Sequence, residues 1–325
     1  MLMWVKNMNE LFEKLNNLIN KYDNFIIMGH SNPDLDVLGS ALALHQIITE
    51  KNKNAYIFLD NDNKEKYNDS ITKSLEKVNA HFTCEKNYLN LLNNSLLIII
   101  DVYQQDRLEY PNILESKIDT IILDHHIMSQ KYIRNTILLY NDTTLSSVAE
   151  LITYFAKYCN TNLDFITSTI MLAGMEIDTN NYNVKTTSNT YIAASYLMEM
   201  GADTILKQEL LKESKDDYIK RADYIKNSFM VNGHIAMCIL HNICEKEDLA
   251  EIADELLKFV NVEASFAIGE LYNGNIGISA RSIGNYDVEK IMKQFNGGGH
   301  KTNAAAEVSN KNIREIKNKI IKIVR

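Results

Sequence analysis

The chain has 325 residues, enough for two domains, and 46% of them are hydrophobic, enough to give each domain a core. A net charge of −8 argues against a long nucleic acid as substrate, because such binding is driven by phosphate neutralisation; a small phosphorylated ligand held through bound cations stays open. No apolar run is long enough to span a bilayer, and the first residues, Met1-Leu2-Met3-Trp4-Val5-Lys6-Asn7, carry no secretory apolar segment, so the expectation is a cytoplasmic protein. The four cysteines, Cys84, Cys159, Cys238 and Cys244, form no Cys-x-x-Cys pair and read as reduced packing residues.

In chain order, Leu11, Phe12, Leu15 and Leu18 fall at helical spacing over about 7–21. The apolar run Phe25-Ile26-Ile27-Met28 predicts a buried strand, Val37 to Thr49 a helix, and Ala55 to Leu59 a second strand, which together make a βαβ unit. Residues 61–94 are polar and mixed and give no clear element. Strands are predicted to end at Asp101 and Asp124, and helices to start near Ser147 and to run from about Leu163 to Gly174. Ser147 with Glu150 has the form of a capping box. Helical patterns continue from about Ser188 to Asn227. The pattern changes near Val231: His234–Leu240, Val262–Gly269 and Asn275–Ala280 read as strands with helices between, Tyr272-Asn273-Gly274-Asn275 carries an Asn-Gly hairpin signal, and a last helix runs from Lys311 to about Val324. Met171, Met175, Met198 and Met200 read as core. The expected fold class is α/β: a parallel-sheet domain over 1–190, a helical connector over 191–230, and a smaller mixed α/β domain over 231–325.

Chemistry concentrates where apolar runs end. Gly29-His30-Ser31-Asn32-Pro33-Asp34-Leu35-Asp36 follows the first run, Asp101 follows Leu96-Leu97-Ile98-Ile99-Ile100, Asp124-His125-His126 follows Ile121-Ile122-Leu123, and Asp178 follows Gly174-Met175-Glu176-Ile177. Ligands in open α/β sheets bind beyond the carboxyl ends of the strands, so these clusters are expected to converge on one sheet edge. Any single Asp among them is well explained as a helix cap. Taken together, imidazoles and carboxylates at these positions suit two divalent metals, which can clamp a phosphoryl displacement and activate water. Gly297-Gly298-Gly299-His300 is the other sharp feature: three of only 12 glycines are consecutive, so the backbone can approach a ligand and offer N–H groups to phosphate or a base edge, although a plain turn would look the same. Arg281, in Ser279-Ala280-Arg281-Ser282, could fork onto a phosphate, and alone it would read as a surface arginine.

The four clusters resemble motifs I to IV of the DHH phosphoesterases, and Gly297 to His300 resembles the signature of the DHH-associated C-terminal domain. Ile26 to His30, Ser146-Ser147 through Ala149-Glu150-Leu151, Gly277 to Ser282 and Gly297 to His300 are similar to the catalytic half of the GdpP branch, which hydrolyses cyclic di-AMP to linear 5′-pApA. The resemblance runs from about Lys21 to Val308. It implies two metal ions, manganese in the usual case. His30 and Asp34 would hold one, Asp36, His125 and Asp178 the other, with Asp101 bridging both. His126 would stand beside the scissile phosphate and Asp124 would orient the histidines. Arg281, Gly297, Gly298, Gly299 and His300 would hold the nucleotide across an interdomain cleft, and a homodimer is plausible. Three departures stand out: Asp101-Val102-Tyr103 replaces the usual Asp-Thr-His, Asn296 stands where that branch often has a fourth glycine, and the branch's membrane and sensor segments are not in this sequence. Four other readings compete: a phosphodiesterase for pApA or short oligonucleotides, a family-II pyrophosphatase, a processive exonuclease and a non-catalytic nucleotide sensor.

Overall fold

The computed structural model describes residues 3–4, 8–283, 286–309 and 312–324. The chain divides between Lys212 and Glu213 into two compact units. The first unit is a seven-stranded sheet in which every pairing is parallel, in the order β1-β7-β6-β5-β2-β3-β4. Its strands are β1 (Met3–Trp4), β2 (Asn24–Met28), β3 (Asn54–Phe58), β4 (Phe82–Thr83), β5 (Ser95–Ile100), β6 (Asp119–Asp124) and β7 (Leu138–Asn141). From β2 the chain builds outward through β3 and β4, then returns with β5 on the other flank of β2, so the direction reverses between β2 and β5. Such a switch point is where the loops at the carboxyl ends part and leave a crevice.

The apolar runs are continuous because both faces of these strands are buried. Phe25, Ile27, Leu96, Ile98, Ile100, Ile121 and Leu123 point into a large core under the helices, while Ile26, Met28, Leu97, Ile99 and Ile122 point into a smaller one. Helices α1 (Met8–Lys21), α2 (Leu35–Glu50), α3 (Asp69–Leu75), α4 (Val148–Cys159), α5 (Phe165–Asp178), α6 (Ser188–Glu199) and α7 (Thr204–Leu210) contribute to the first face. Short 3-10 turns and loops carrying Tyr88, Leu108, Ile113 and Ile133 cover the second. At the centre α2 crosses α5 with almost no space between the backbones. A Cβ on Gly39 would stand 2.8 Å from the Met171 backbone nitrogen, and one on Gly174 would stand 2.7 Å from Asp36 Cα.

The second unit is a mixed six-stranded sheet, β12-β13-β11-β10-β9-β8, with β9 and β10 parallel and its other neighbours antiparallel. It comprises α8 (Lys215–Lys226), β8 (Phe229–Val231), β9 (Ile235–Ile239), α9 (Lys246–Leu257), β10 (Ala264–Glu270), β11 (Ile276–Ser282), α10 (Val288–Lys293), β12 (Gly298–Gly299), β13 (Asn303–Val308) and α11 (Ile313–Val324). One face packs on α10 and α11 through Phe266, Ile278, Met292 and Ile320, the other on α9 through Cys238, Ile252 and Ala267.

Several expectations change in detail. Asp178 does not follow a strand: it is the last residue of helix α5, so three clusters come from strand ends and the fourth from a helix end. The hairpin after β10 has a three-residue loop, with Leu271 and Asn275 paired and only Gly274 left-handed (φ +79°), rather than a two-residue Asn-Gly turn. Met171 and Met175 are core, but Met198 is exposed and Leu197 takes the buried position. Strands β7 and β13 have no counterpart in the sequence reading. Residues 191–230, read there as a connector, are shared between the units: α6 and α7 lie in the first and α8 in the second. Lys311, the expected start of the last helix, lies outside the described residues. All four cysteines are free thiols. Among the described residues no helix is long and apolar enough to cross a membrane.

Candidate metal centre

Motif I leaves β2 at Gly29. His30 bridges to Leu108, and Ser31 N–H donates to the Arg107 carbonyl at 2.7 Å, which fastens this loop to the one that follows β5. Asp34 caps α2 by accepting the Val37 N–H at 3.0 Å, and its other oxygen, Oδ2, lies 3.7 Å from His30 Nε2. The helix-cap explanation therefore holds for Asp34 without exhausting it. Asp36 is fully buried and caps a different helix: its two oxygens accept the Val148 and Ala149 N–H groups at 2.8 and 2.6 Å, the opening donors of α4. Asp101 turns sharply out of β5 in the left-handed region (φ +59°), with its N–H on the Leu123 carbonyl.

From these positions three donor groups interlock. His30, Asp34 and Asp101 form one, Asp36, His125 and Asp178 a second, and Asp101, His125 and His126 a third; within each, the ligand atoms lie within 4.8 Å of one another. Asp101 and His125 each belong to two groups. His125 directs Nδ1 at the Leu145 carbonyl (3.4 Å), which orients the ring and presents Nε2 to Asp101 Oδ1 at 3.1 Å and Asp178 Oδ2 at 3.3 Å. Yet His125 Nε2 and Asp101 Oδ1 are both buried without a hydrogen-bond partner among the described residues. Such orphaned atoms are costly unless a cation lies between them, and mixed imidazole and carboxylate donors suit a mid-row divalent ion. The residues present thus fit a metal pair.

Electrostatics agree. Burial pushes the Asp36 carboxyl well above its usual range, and the charges of Asp178, Asp101 and Asp34 add to it. Burial also raises Asp178; the neighbouring His125 imidazole pulls it back, Asp34 and Asp101 push again, and it stands at about 6. For His30, burial is the largest influence and lowers the pKa, but Asp101 and Asp34 together outweigh it and push it up to about 11. Four carboxylates crowded in this way repel one another, and dications relieve that repulsion.

His126 is held differently. Asp124 Oδ1 accepts the His125 N–H (2.7 Å), the His126 N–H (2.9 Å) and His126 Nδ1 (2.9 Å). A carboxylate only accepts, so Nδ1 carries the proton and Nε2 is left for a ligand. The ring is 47% exposed. One support has no counterpart among the residues singled out in the sequence. Asn141, at the end of β7, donates to the His126 carbonyl at 2.8 Å; Leu138-Leu139-Tyr140 before it is a further apolar run with a polar end and could have revealed it. The capping box is half formed: Ser147 Oγ accepts the Glu150 N–H, but Glu150 Oε2 turns to Ser146 and Thr190 instead of Ser147.

In the second unit, Gly297 and Gly299 are explained largely by packing. A Cβ on Gly297 would collide with the Ala305 carbonyl, and one on Gly299 would lie 2.5 Å from Ala304 Cα. A Cβ on Gly298 would meet nothing within 4 Å. His300 is exposed, with Nδ1 3.1 Å from Thr302 Oγ1. Arg281 is only 12% exposed and already engaged: Nε donates to Asp254 (2.8 Å) and Nη1 to Ser279 Oγ (2.9 Å) and the Ala280 carbonyl (3.2 Å). Of the residues singled out in the sequence, the eight His and Asp side chains assemble in the first unit, while Arg281, Gly297, Gly298, Gly299 and His300 share one end of the second unit's sheet, where Arg281 pairs with Asn303 and Gly299 with Ala304.

A parallel sheet with histidines and aspartates at its switch point, followed by a mixed sheet with a triple glycine, defines a two-domain DHH protein. The chain belongs to this family: residues 24–175 match the DHH family, N-terminal domain, and residues 232–325 match the DHHA1 domain. Over 314 residues it is 34% identical to the cyclic-di-AMP phosphodiesterase GdpP of Bacillus subtilis, covering 93% of this chain and 47% of that protein. It is 24% identical to the bifunctional oligoribonuclease and PAP phosphatase NrnA of Mycoplasma genitalium, covering 91% of this chain and 92% of that one. The chain thus spans about half the length of GdpP. An exopolyphosphatase-related protein from Bacteroides fragilis shares the fold, with a TM-score of 0.80 at 18% identity over 97% of this chain and 95% of that chain.

Proposed function

We propose that this chain is a divalent-metal-dependent phosphodiesterase that opens cyclic di-AMP to 5′-pApA. The observation that carries the catalytic part is the interlocked donor set in which Asp101 and His125 are each shared between two groups. The substrate is supported by the 34% identity to GdpP across nearly the whole chain. His30, Asp34 and Asp101 would hold one ion and Asp36, His125 and Asp178 the other, with Asp101 common to both; manganese is the expected metal. When bound, such a pair supplies Lewis acidity at the phosphorus and acidifies a water.

The chain's own residues would do the rest. Asp36 draws the opening turn of α4 onto the site and keeps water from its two oxygens. Asp124 fixes the tautomer of His126, so that Nε2 is the nitrogen able to contact the phosphate or move a proton. In the DHHA1 domain, Gly298 and His300 offer an open backbone edge and an imidazole to a nucleotide, and Arg281 would add charge while still tethered to Asp254.

A product time course with Mn2+ tests this reading, with cyclic di-AMP and pApA in separate reactions. Conversion of cyclic di-AMP to pApA with slow onward cleavage is expected. Fast AMP formation from pApA with an inert cyclic substrate would favour a short-oligonucleotide phosphodiesterase, the reading supported by the match to nearly the whole of NrnA.

A further inference from the structure

Tyr103 stands two residues beyond Asp101, on the turn that leaves β5. Its side chain packs against the apolar cluster that includes Met28, Ile99, Val102 and Ile133, on the sheet face opposite the main helices. From that anchor its hydroxyl reaches the segment that follows His126: it donates to the Ile127 carbonyl at 2.9 Å and accepts the Ser129 N–H at 3.2 Å. The Tyr103 carbonyl accepts the Ile133 N–H at 2.9 Å. Three bonds from one residue therefore hold the chain from Ile127 to Ile133.

His126 needs such support. Its ring is half exposed, held at Nδ1 by Asp124 and lying with its centroid 4.5 Å from that of His125, and the rest of its placement follows from its backbone. On one side Asn141 grips the His126 carbonyl; on the other Tyr103 grips the very next carbonyl. The hydroxyl both donates to and accepts from backbone, so it is committed to the loop rather than offered to a ligand. We propose that Tyr103 is a positioning residue for His126, a rigid post that sets the imidazole's place beside Asp101 and so tunes turnover. The inference rests on the phosphodiesterase reading above.

Tyr103→Phe keeps the anchored ring and removes only the hydroxyl. A shift of reacting groups by a fraction of an ångström lowers turnover several-fold, so kcat on cyclic di-AMP is expected to fall about fivefold, with KM within about twofold of the parent. In a His126→Ala background the same change is expected to cost nothing further, because the group it positions is gone. Asn141→Ala, which releases the other side of His126, is expected to reproduce the kcat loss, and it serves as the test if Tyr103→Phe does not fold. A readout independent of activity is the imidazole 1H–15N correlation of His126, expected to move in Tyr103→Phe while that of His30 stays. An unmoved His126 signal, an unchanged kcat, or an equal loss in both backgrounds would overturn the inference. Absence of turnover in the parent on any phosphodiester, with the His126 signal still moving, would instead overturn the functional reading alone.

Discussion

Gly174→Ala should damage the metal centre more than the fold. The added Cβ would lie 2.7 Å from both Cα and the backbone nitrogen of Asp36, and 2.8 Å from the Leu35 carbonyl carbon. Ordinary contact begins at 3.4 Å, so α5 must retreat from α2 by about 0.7 Å (3.4 − 2.7). Neither neighbour can rotate aside, because both are backbone. Overpacking of this kind costs about 1–3 kcal/mol, and the better helix propensity of alanine returns up to about 1 kcal/mol. The net loss of stability should be modest. The site has less tolerance. Asp36 is the residue pushed against, Asp178 lies one turn further along α5, and both contribute to one donor group. Such constellations work within about 0.5 Å, so a 0.7 Å retreat should weaken Mn2+ binding and turnover by roughly 10- to 100-fold. Isothermal titration with Mn2+, melting temperature and cyclic di-AMP turnover read the three effects. Gly39→Ala, whose Cβ would press on the Met171 backbone instead, should cost similar stability with a smaller effect on metal. Parent-like Mn2+ affinity in folded Gly174→Ala would refute the idea that this helix crossing sets the centre.

Asp101→Ala should lower Mn2+ affinity at least about 100-fold and abolish turnover while keeping a cooperative unfolding transition; near-normal turnover would show that the donor assignment is wrong. Gly297→Ala should destabilise the second unit by forcing β12 away from β13, whereas Gly298→Ala should leave the melt unchanged and raise KM; the reverse pattern would remove Gly298 from the nucleotide edge. His45 tests pH linkage away from the site. Burial first and the charge of His81 second lower its pKa to about 4, and its Nε2 accepts the His81 backbone N–H. The unfolded chain therefore binds this proton more readily, so the stabilisation is complete above about pH 6.5 and is lost as pH falls toward 4, about 3 kcal/mol at most. Urea unfolding at pH 7.5 and 4.5 should show a smaller acid penalty for His45→Gln than for the parent; an equal penalty would rule His45 out.

Much of the first unit was legible in the chain because parallel strands buried on both faces leave unbroken apolar runs, and a polar residue at the end of such a run marks the edge where ligands collect. His30, Asp34, Asp101 and Asp124 to His126 could be placed in this way from local pattern alone, as could the helices whose apolar residues repeat at helical spacing. Asp178 could not: a short, mostly apolar segment before an aspartate, here Gly174-Met175-Glu176-Ile177, looks the same in a strand as in the last turn of a buried helix, and only the packing of α5 on α2 decides between them. The same holds for Asp36, whose oxygens serve a helix more than a hundred residues away, and for Asn141 and Tyr103, whose bonds to the segment around His126 join separate loops. Gly297 and Gly299 looked available to a ligand until β13 occupied the space beside them. Local sequence determines which residues are buried and with what period. Which buried groups face one another, and therefore which carboxylates share a cation and which glycines stay open, is decided by contacts between segments distant in the chain, and those exist only once the sheet and its helices have closed.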